Sequence, residues 1–495
     1  EALLLSREGR SGEDTSLAAA WARQRGAAIP AAPTARRAAV AGQQALFEPP
    51  DPAFPSPAAA LDALAAVHAH QLRRAYADEH PARFALLAAA ESAAGLAAEE
   101  MGFYGLPWRP DVHAELLTGL LGPRPVAGLR PAKLAVLAAQ ISEAFGGRPV
   151  NPDSPAQILR ALAADGVMVS STRSHVLRDV DHPAAPLLLE YKELARVYAA
   201  HGWAWLDEWV RDGRFRPEYV VGGVVSGRWA SRGGGALQIP KVLRRAVVAD
   251  PGWVLVVGDA AQLEPRVLAA LSGDEALAAA AGTGDLYEAL AGAFGGDRGK
   301  AKVALLSAMY GGAAGEALQL LAVLRHRFPL AAQYVEAAAR AGEEGRVVRS
   351  RLGRTCPPPS AAWRGLTALP DDPGTGESRA GRSVRARGRF TRNFVVQASA
   401  ADWATVLLAG LRRRLAAMIM PNESGGEPAV AATSQPRLVF FQHDEVIVHC
   451  PEPLAGGVVA AIGDAASEAG RLVFGPTAVR FPVTTAVVRS YADAK

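Results

Sequence analysis

Apolar residues recur at three- and four-residue spacing from Ala58 to Gly105, the pattern of an amphipathic helix, and again from about Asp111 to Gly202. Two proline-bearing stretches, Asn151 to Pro155 and Asp181 to Pro186, interrupt the second region. Each predicts a helix start, because serine or aspartate near a proline supplies a cap and a preset first turn. Residues 1 to about 60 read as a helix, an alanine- and proline-rich stretch and a linker, PPDPAFPSP. The pattern changes after Arg216. GWVLVVGD is a short valine-rich run that predicts a buried strand ending at Asp259, followed by a glycine-interrupted helical pattern from Ala260 to Tyr310 and beyond. Residues 366 to 388, LTALPDDPGTGESRAGRSVRARG, predict a loop. LVFFQHDEVIVHC predicts a hairpin, two β-prone arms around a polar QHDE centre. Helices first, then a sheet interrupted by helices, imply an α+β protein with more than one subdomain.

Composition narrows this picture only a little. The chain has 495 residues, 50% apolar and 21% charged, with a formal net charge of +4. That is ample for two or three packed domains, and a weak basic excess permits nucleic-acid binding without arguing for it. Arginine clusters in GRVVRSRLGR (Arg346, Arg349, Arg351, Arg354) and in RAGRSVRARGRFTRN (Arg379 to Arg392), a composition that suits phosphate backbones and solubilising surface loops about equally. The two cysteines, Cys356 and Cys450, are far apart, which disfavours a disulfide framework or zinc site and fits a reduced cytoplasm. No apolar run looks long enough to span a bilayer and no signal peptide is evident, so no membrane partner is expected.

Asp259 at a strand end and Asp444 in a hairpin turn are costly to desolvate unless something positive compensates them. Brought together, they would make an oxygen-rich Mg²⁺ site that leaves coordination free for phosphates. Taken singly, each reads better as a solvated turn residue. Arg298, Lys302, Leu306 and Tyr310 follow at four-residue steps along one helix face, with Asp297 as a candidate N-cap. Two cations near a helix N-terminus could grip a triphosphate, although a solvated basic face grading into a core-facing Leu and Tyr is common.

Together these residues resemble family A (DNA polymerase I-type) DNA polymerases, in the right order. GDAAQLEPRVLAALSGDEAL resembles the first palm motif, DYSQIELRVLAHLSGDE, with Asp259, Gln262, Glu264 and Arg266 matching. RGKAKVALLSAMYGG resembles the fingers helix, RxxxKxxxFxxxYG, and QHDEVIVHC the last palm motif, with His443, Asp444 and Glu445. SGRWASRGGGALQIP, with Arg228 and Gln238, and RFTRNFVVQASAADW, with Arg389, Asn393, Gln397 and Asp402, resemble the segments between them. The resemblance runs from about residue 85 to the C-terminus. It implies a right-hand polymerase fold with palm sheet, helical fingers and helical thumb, preceded by a short N-terminal remnant. The implied divisions are a truncated or degenerate exonuclease-like region at 1–80, thumb and lead-in to the palm at 81–215, palm at 216–274 and 376–495, and fingers at 275–375.

The resemblance further implies template-directed addition of dNTPs to a primer 3′-hydroxyl by a monomeric, cytoplasmic, nucleoid-associated enzyme working on primer–template DNA in repair or gap filling. Two Mg²⁺ ions, replaceable by Mn²⁺, would be held by Asp259, Asp444 and the backbone of Ala260. Arg298 and Lys302 would bind the triphosphate and act in catalysis. Gln262, Tyr287, Leu306 and Tyr310 would line the nucleotide site, and Glu264 would fill the space of a ribose 2′-hydroxyl. Arg228, Gln238, Arg389, Asn393, Gln397, His443 and Glu445 would contact the duplex.

The chain also departs from the pattern. Leu306 replaces an aromatic residue, Ala260-Ala261 replace Tyr-Ser, Tyr287 replaces a histidine, and the thumb tip shrinks to GVMVSSTRS. No proofreading motif is evident in the first 80 residues. A catalytically weak polymerase-like DNA-binding protein is the competing expectation. An RNA polymerase or reverse transcriptase on the same scaffold is a third, with Glu264 disfavouring NTP use.

Overall fold

The computed structural model describes residues 1–30, 54–282, 284–311, 316–368, 378–418 and 435–494. At its centre is a four-stranded antiparallel sheet of β1 (Trp253–Ala260), β2 (Arg437–Gln442), β3 (Glu445–Pro451) and β4 (Val483–Val488), in the order β2-β3-β1-β4. The predicted strand and hairpin are both present. Alternation along β1 sorts its side chains into two cores. Val254 and Val256, with Val446 and Val448 of β3, join one hydrophobic cluster, whereas Leu255, Val257 and Ile447 join another. Both faces of the central strands are therefore covered, which is why the run is continuously apolar. Each fully buried Val or Leu contributes roughly 1.5–3 kcal/mol.

Long helices back the first core: α1 (Pro81–Tyr104), α2 (Leu263–Ser272), α3 (Arg298–Tyr310), α4 (Pro329–Glu343), α5 (Arg379–Ala416) and α6 (Ala455–Phe474). The second core lies under a block of shorter helices that includes Pro110–Leu121, Ala132–Ala144, Pro155–Ala164 and Ala184–His201, with Leu117, Ile141, Ile158 and Leu188 inside. Its helices begin where the two proline-bearing breaks predict. Ser154, for instance, accepts from the Gln157 N–H at 3.4 Å with Pro155 in the first turn. The helical stretch from Ala58 to Gly105 is two helices, Pro57–Tyr76 and α1, and Ser56 caps the first. Most of the predicted linker lies outside the described residues.

Two expectations are corrected by α5. The second arginine cluster is the first third of this helix, so residues 379–388 of the predicted loop are helical, whereas residues 369–377 lie outside the described residues. Ser378 caps the helix by accepting from Gly381 N–H at 2.9 Å, and arginine is a good helix former. The same helix is long and apolar enough to cross a membrane by length and composition, with a window of mean hydropathy 1.4, contrary to the reading of the sequence. Yet 83% of that window is buried inside the protein, as befits the axis of a core.

Candidate active site

Strand register gathers the carboxylates. Asp259 of β1 lies opposite Glu445 on β3 and Thr484 on β4, and the Ala260 N–H donates to the Asp444 carbonyl at 3.1 Å. The β2–β3 turn has only two loop residues between the paired Gln442 and Glu445. His443, the first of them, has φ +58°, the left-handed conformation such tight hairpins require. Asp259 and Asp444 are half-buried at this sheet end and His443 is exposed. Glu445 is 4% exposed and accepts a hydrogen bond from the Tyr491 hydroxyl, so it faces the interior.

Beside this sheet end lies a cleft of about 250 Å³ lined by Arg228, Gln262, Glu264, Leu306, Tyr310 and the His443–Asp444 turn, so that seven of the predicted site residues meet in one place. Glu264, in the first turn of α2, accepts from Arg228 through Oε1 and from the Tyr310 hydroxyl through Oε2. It thereby ties the segment before β1 to the last turn of α3. Gln262 just before α2 has φ +56°, a conformation costing a non-glycine residue roughly 1–2 kcal/mol. Its side chain offsets that cost: Nε2 donates to Asp285 Oδ1 at 2.7 Å, and Oε1 accepts from Leu286 N–H at 2.8 Å. Arg266, a motif match, is wholly buried and donates to the carbonyls of Ala261, Ala281 and Arg480 at 3.0, 2.6 and 3.1 Å. It fastens α2 to its neighbours.

Asp297 caps α3 as expected, accepting from the N–H groups of Gly299 and Lys300 at 2.7 and 3.1 Å. Lys302 is exposed, and Leu306 and Tyr310 are half-buried along the same face. Arg298 is engaged: Nε and Nη2 donate to Asp285 Oδ2 at 3.1 and 2.8 Å, and its guanidinium lies 5.5 Å from the centre of the buried Tyr287 ring. Asp285 also caps the helix Leu286–Ala291 through Oδ1. Burial pushes its pKa up, but the Arg298, helix-cap and Gln262 hydrogen bonds outweigh that and hold the carboxyl down at about 2. Asp285 was missed by sequence reasoning, although it immediately precedes the Leu-Tyr pair from which Tyr287 was singled out.

On α5, the Asn393 amide donates to the carbonyls of Met309 at 2.8 Å and Tyr310 at 3.3 Å, securing the C-terminus of α3. Arg389 is exposed beside Gly311, and Gln238 is exposed on a short 3₁₀ turn. Asp259, Tyr287, Arg298, Lys302, Gln238, Arg389, Asn393, Gln397 and Glu445 are not in the cleft lining, and Asp259 borders a separate cavity with Val257 and Thr484. A buried triad went unanticipated. Arg354 donates through Nε to Asp402 at 3.0 Å and through Nη2 to Glu91, beneath Gly227, where a Cβ would stand 2.2 Å from Arg354 Nε. The first arginine cluster is therefore mixed in use, with Arg354 buried and Arg346 paired locally with Glu344.

A sequence model of DNA polymerase family A matches residues 130–493. DNA polymerase I of Chloroflexus aurantiacus is 27% identical over 373 residues, covering 70% of this chain and 36% of that protein. The thermostable DNA polymerase I of Thermus aquaticus is 27% identical over 420 residues, covering 75% of this chain and 46% of that protein. The chain thus aligns with less than half the length of either relative. Among solved structures, the POL domain of Pol1 from M. smegmatis, in complex with DNA primer-template and dNTP, superposes with a TM-score of 0.68 at 20% identity. That superposition covers 88% of this chain and 75% of that one, and gives the right-hand polymerase fold. With most of its length matched by the family and its ordered motifs meeting in one cleft, this chain belongs to DNA polymerase family A.

Proposed function

We propose that the protein is a template-directed DNA polymerase that extends a primer 3′-hydroxyl with dNTPs in the cleft between α3 and the Asp259–Asp444 sheet end. The observation that carries this reading is the meeting of Asp444, Glu264, Arg228 and Tyr310 around one cavity. Family membership and the DNA- and dNTP-bound structural neighbour support it.

The donor set suits Mg²⁺. Two carboxylates from adjoining strand ends are hard oxygen ligands, and Mg²⁺ typically takes one or two of these and fills its shell with water and phosphate oxygens. Among the described residues no three His, Cys, Asp or Glu side chains form a closed metal site, so substrate oxygens would complete the coordination. Two such ions, when bound, supply charge neutralisation and an acidified primer hydroxyl. The residues do the rest. Asp259 and Asp444 would hold the ions, Lys302 and Arg298 would receive the triphosphate, and Arg298 would exchange Asp285 for phosphate as it did so. Glu264, pinned from two sides, excludes a 2′-hydroxyl. Tyr310 and Leu306 form the wall against the base and sugar, and Arg228 reaches toward the primer terminus.

The shortened thumb tip favours short repair or gap-filling synthesis, and residues 1–80 are assigned no proofreading centre. The thumb, palm and fingers divisions given above form part of the same proposal. Leu306, which presents no aromatic face to the cleft, favours the second reading, a DNA-binding protein with little catalysis. Primer extension with Mg²⁺ and dNTPs, beside duplex binding, separates the two. Extension by wild type and none by Asp444→Ala supports the polymerase. Binding without extension, under Mg²⁺ or Mn²⁺, overturns it.

A further inference from the structure

Away from the cleft, four arginines face a second cavity of about 250 Å³: Arg7, Arg83, Arg349 and Arg351. The one acidic residue in its lining is Glu79. Arg349 stands 3.5 Å from Glu79, and Arg7 pairs with Asp78. Among the described residues the Arg351 guanidinium donates to the carbonyls of Val473 and Phe474, at 3.4 and 3.5 Å, long for bonds from a charged donor. Arg83 sits in the first turn of α1, beside the positive end of that helix dipole. The turn contains no acidic residue, and His80 supplies no side-chain cap. A cation at that position is unfavourable, and uncapped N–H groups there favour an anion.

The guanidiniums also oppose one another. Burial, and after it the charge of Arg349, holds Arg7 below its ordinary range; burial and then Arg83 do the same to Arg351. A solvated basic surface would spread such charges apart. Here they converge from the N-terminal helix Ala2–Arg7, from α1 and from the loop after α4, over walls that include Leu271, Leu352 and Tyr334.

We propose that this cavity is a phosphate-binding site, taking a phosphate or pyrophosphate anion or one phosphodiester group of a nucleic acid. It is separate from the cleft. Leu271, in its wall, is seven residues along α2 from Glu264, about 10 Å at the helical rise. At about 250 Å³ the cavity has room for one or two phosphate groups.

The test uses the full chain without divalent cations, unfolded thermally in sodium pyrophosphate and in sodium chloride of equal ionic strength. Pyrophosphate is expected to raise the midpoint of wild type by a few degrees, and to do the same for Arg298→Gln, which removes a cation from the proposed triphosphate site. In the Arg83→Gln/Arg351→Gln variant the rise disappears, and calorimetric affinity for pyrophosphate falls at least about tenfold. In chloride that variant unfolds no earlier than wild type, because like charges have been removed. If it does unfold earlier, the exposed Arg349→Gln substitution is read in the same way. A full pyrophosphate shift retained in these variants, or no shift in wild type, overturns the proposal. Anisotropy of a labelled single-stranded oligonucleotide identifies the source. Weakened oligonucleotide binding in the double variant points to phosphodiester, whereas lost pyrophosphate binding alone points to a small phosphate.

Discussion

The backbone N–H of Ala260 donates to the carbonyl of Asp444 at 3.1 Å, joining the end of one strand to the turn of a hairpin nearly two hundred residues away in the chain. That bond sets the register in which Asp259 stands opposite Glu445 and Asp444 opposite Ala260, one position apart across the two strands. Replacing either side chain leaves the bond intact, so Asp259→Asn and Asp444→Ala should fold with near-wild-type unfolding midpoints while primer extension falls by at least ~10²-fold, as loss of a metal ligand demands. Activity within tenfold of wild type in either variant would remove the carboxylates from the mechanism.

Glu264 is held by Arg228 and Tyr310 at once, which makes it a rigid wall. Glu264→Ala opens the space beside the sugar and frees both partners. The ratio of dNTP to rNTP incorporation is expected to fall at least about tenfold, the usual scale for one shape-selecting group. An unchanged ratio would place the sugar elsewhere.

Asp285 competes for the guanidinium that the triphosphate is proposed to use. Asp285→Asn keeps the helix cap, since asparagine caps as well as aspartate, but weakens the hold on Arg298. A partly exposed ion pair is worth about 0.2–1 kcal/mol, so KM for dNTP should drop roughly 1.5- to 5-fold with kcat little changed. The Asp285 carboxyl is depressed to about 2 from an ordinary 3.8, so its contribution to stability is complete above the ordinary value and is lost as pH falls through about 2. Neutral-pH assays are therefore unaffected by its titration.

Two wholly buried histidines set a different acid limit. Burial lowers His113 and His201 from 6.5 to about 4. Trp108 Nε1 donates to His113 Nδ1 at 3.2 Å, and the other ring nitrogen meets the His201 carbonyl at 2.9 Å, an arrangement that suits the neutral imidazole only. The folded value lies below the unfolded one, so this stability is full above pH 6.5 and is lost as pH falls from there to about 4. Each histidine contributes up to ~3 kcal/mol to that loss. Urea unfolding followed from pH 7 to 4 should show the decline, and His113→Gln should flatten part of it.

Arg354 lies directly beneath Gly227, whose φ is +85°. Gly227→Ala would be strained in backbone and would collide with the guanidinium, displacing Arg228 from Glu264. Asp402→Ala would strand a buried arginine at a cost of about 3–5 kcal/mol, read as a lowered urea midpoint. A midpoint within experimental error of wild type would show that Glu91 alone suffices for Arg354.

The sequence by itself determined most of the local structure and all of the ordered motifs. Period-3.6 and continuous apolar runs are local consequences of which face each element buries, so α1, β1 and the β2–β3 hairpin could be read directly. Composition misled where the same residues serve two ends. Arginines that suit a solvent loop also suit a helix, and Arg379 to Arg392 became the start of α5 because Ser378 capped it and Phe394, Val396 and Leu407 gave the helix a core to enter. Partnership was beyond the sequence. The intramolecular partners that Glu445, Asn393 and Arg298 take, Tyr491, the end of α3 and Asp285, depend on contacts between residues 13 to 84 positions apart. Tertiary packing alone decided these, because a hydrogen bond or ion pair is specified by where two side chains meet in space, and burial makes each unmet partner costly enough to enforce the choice.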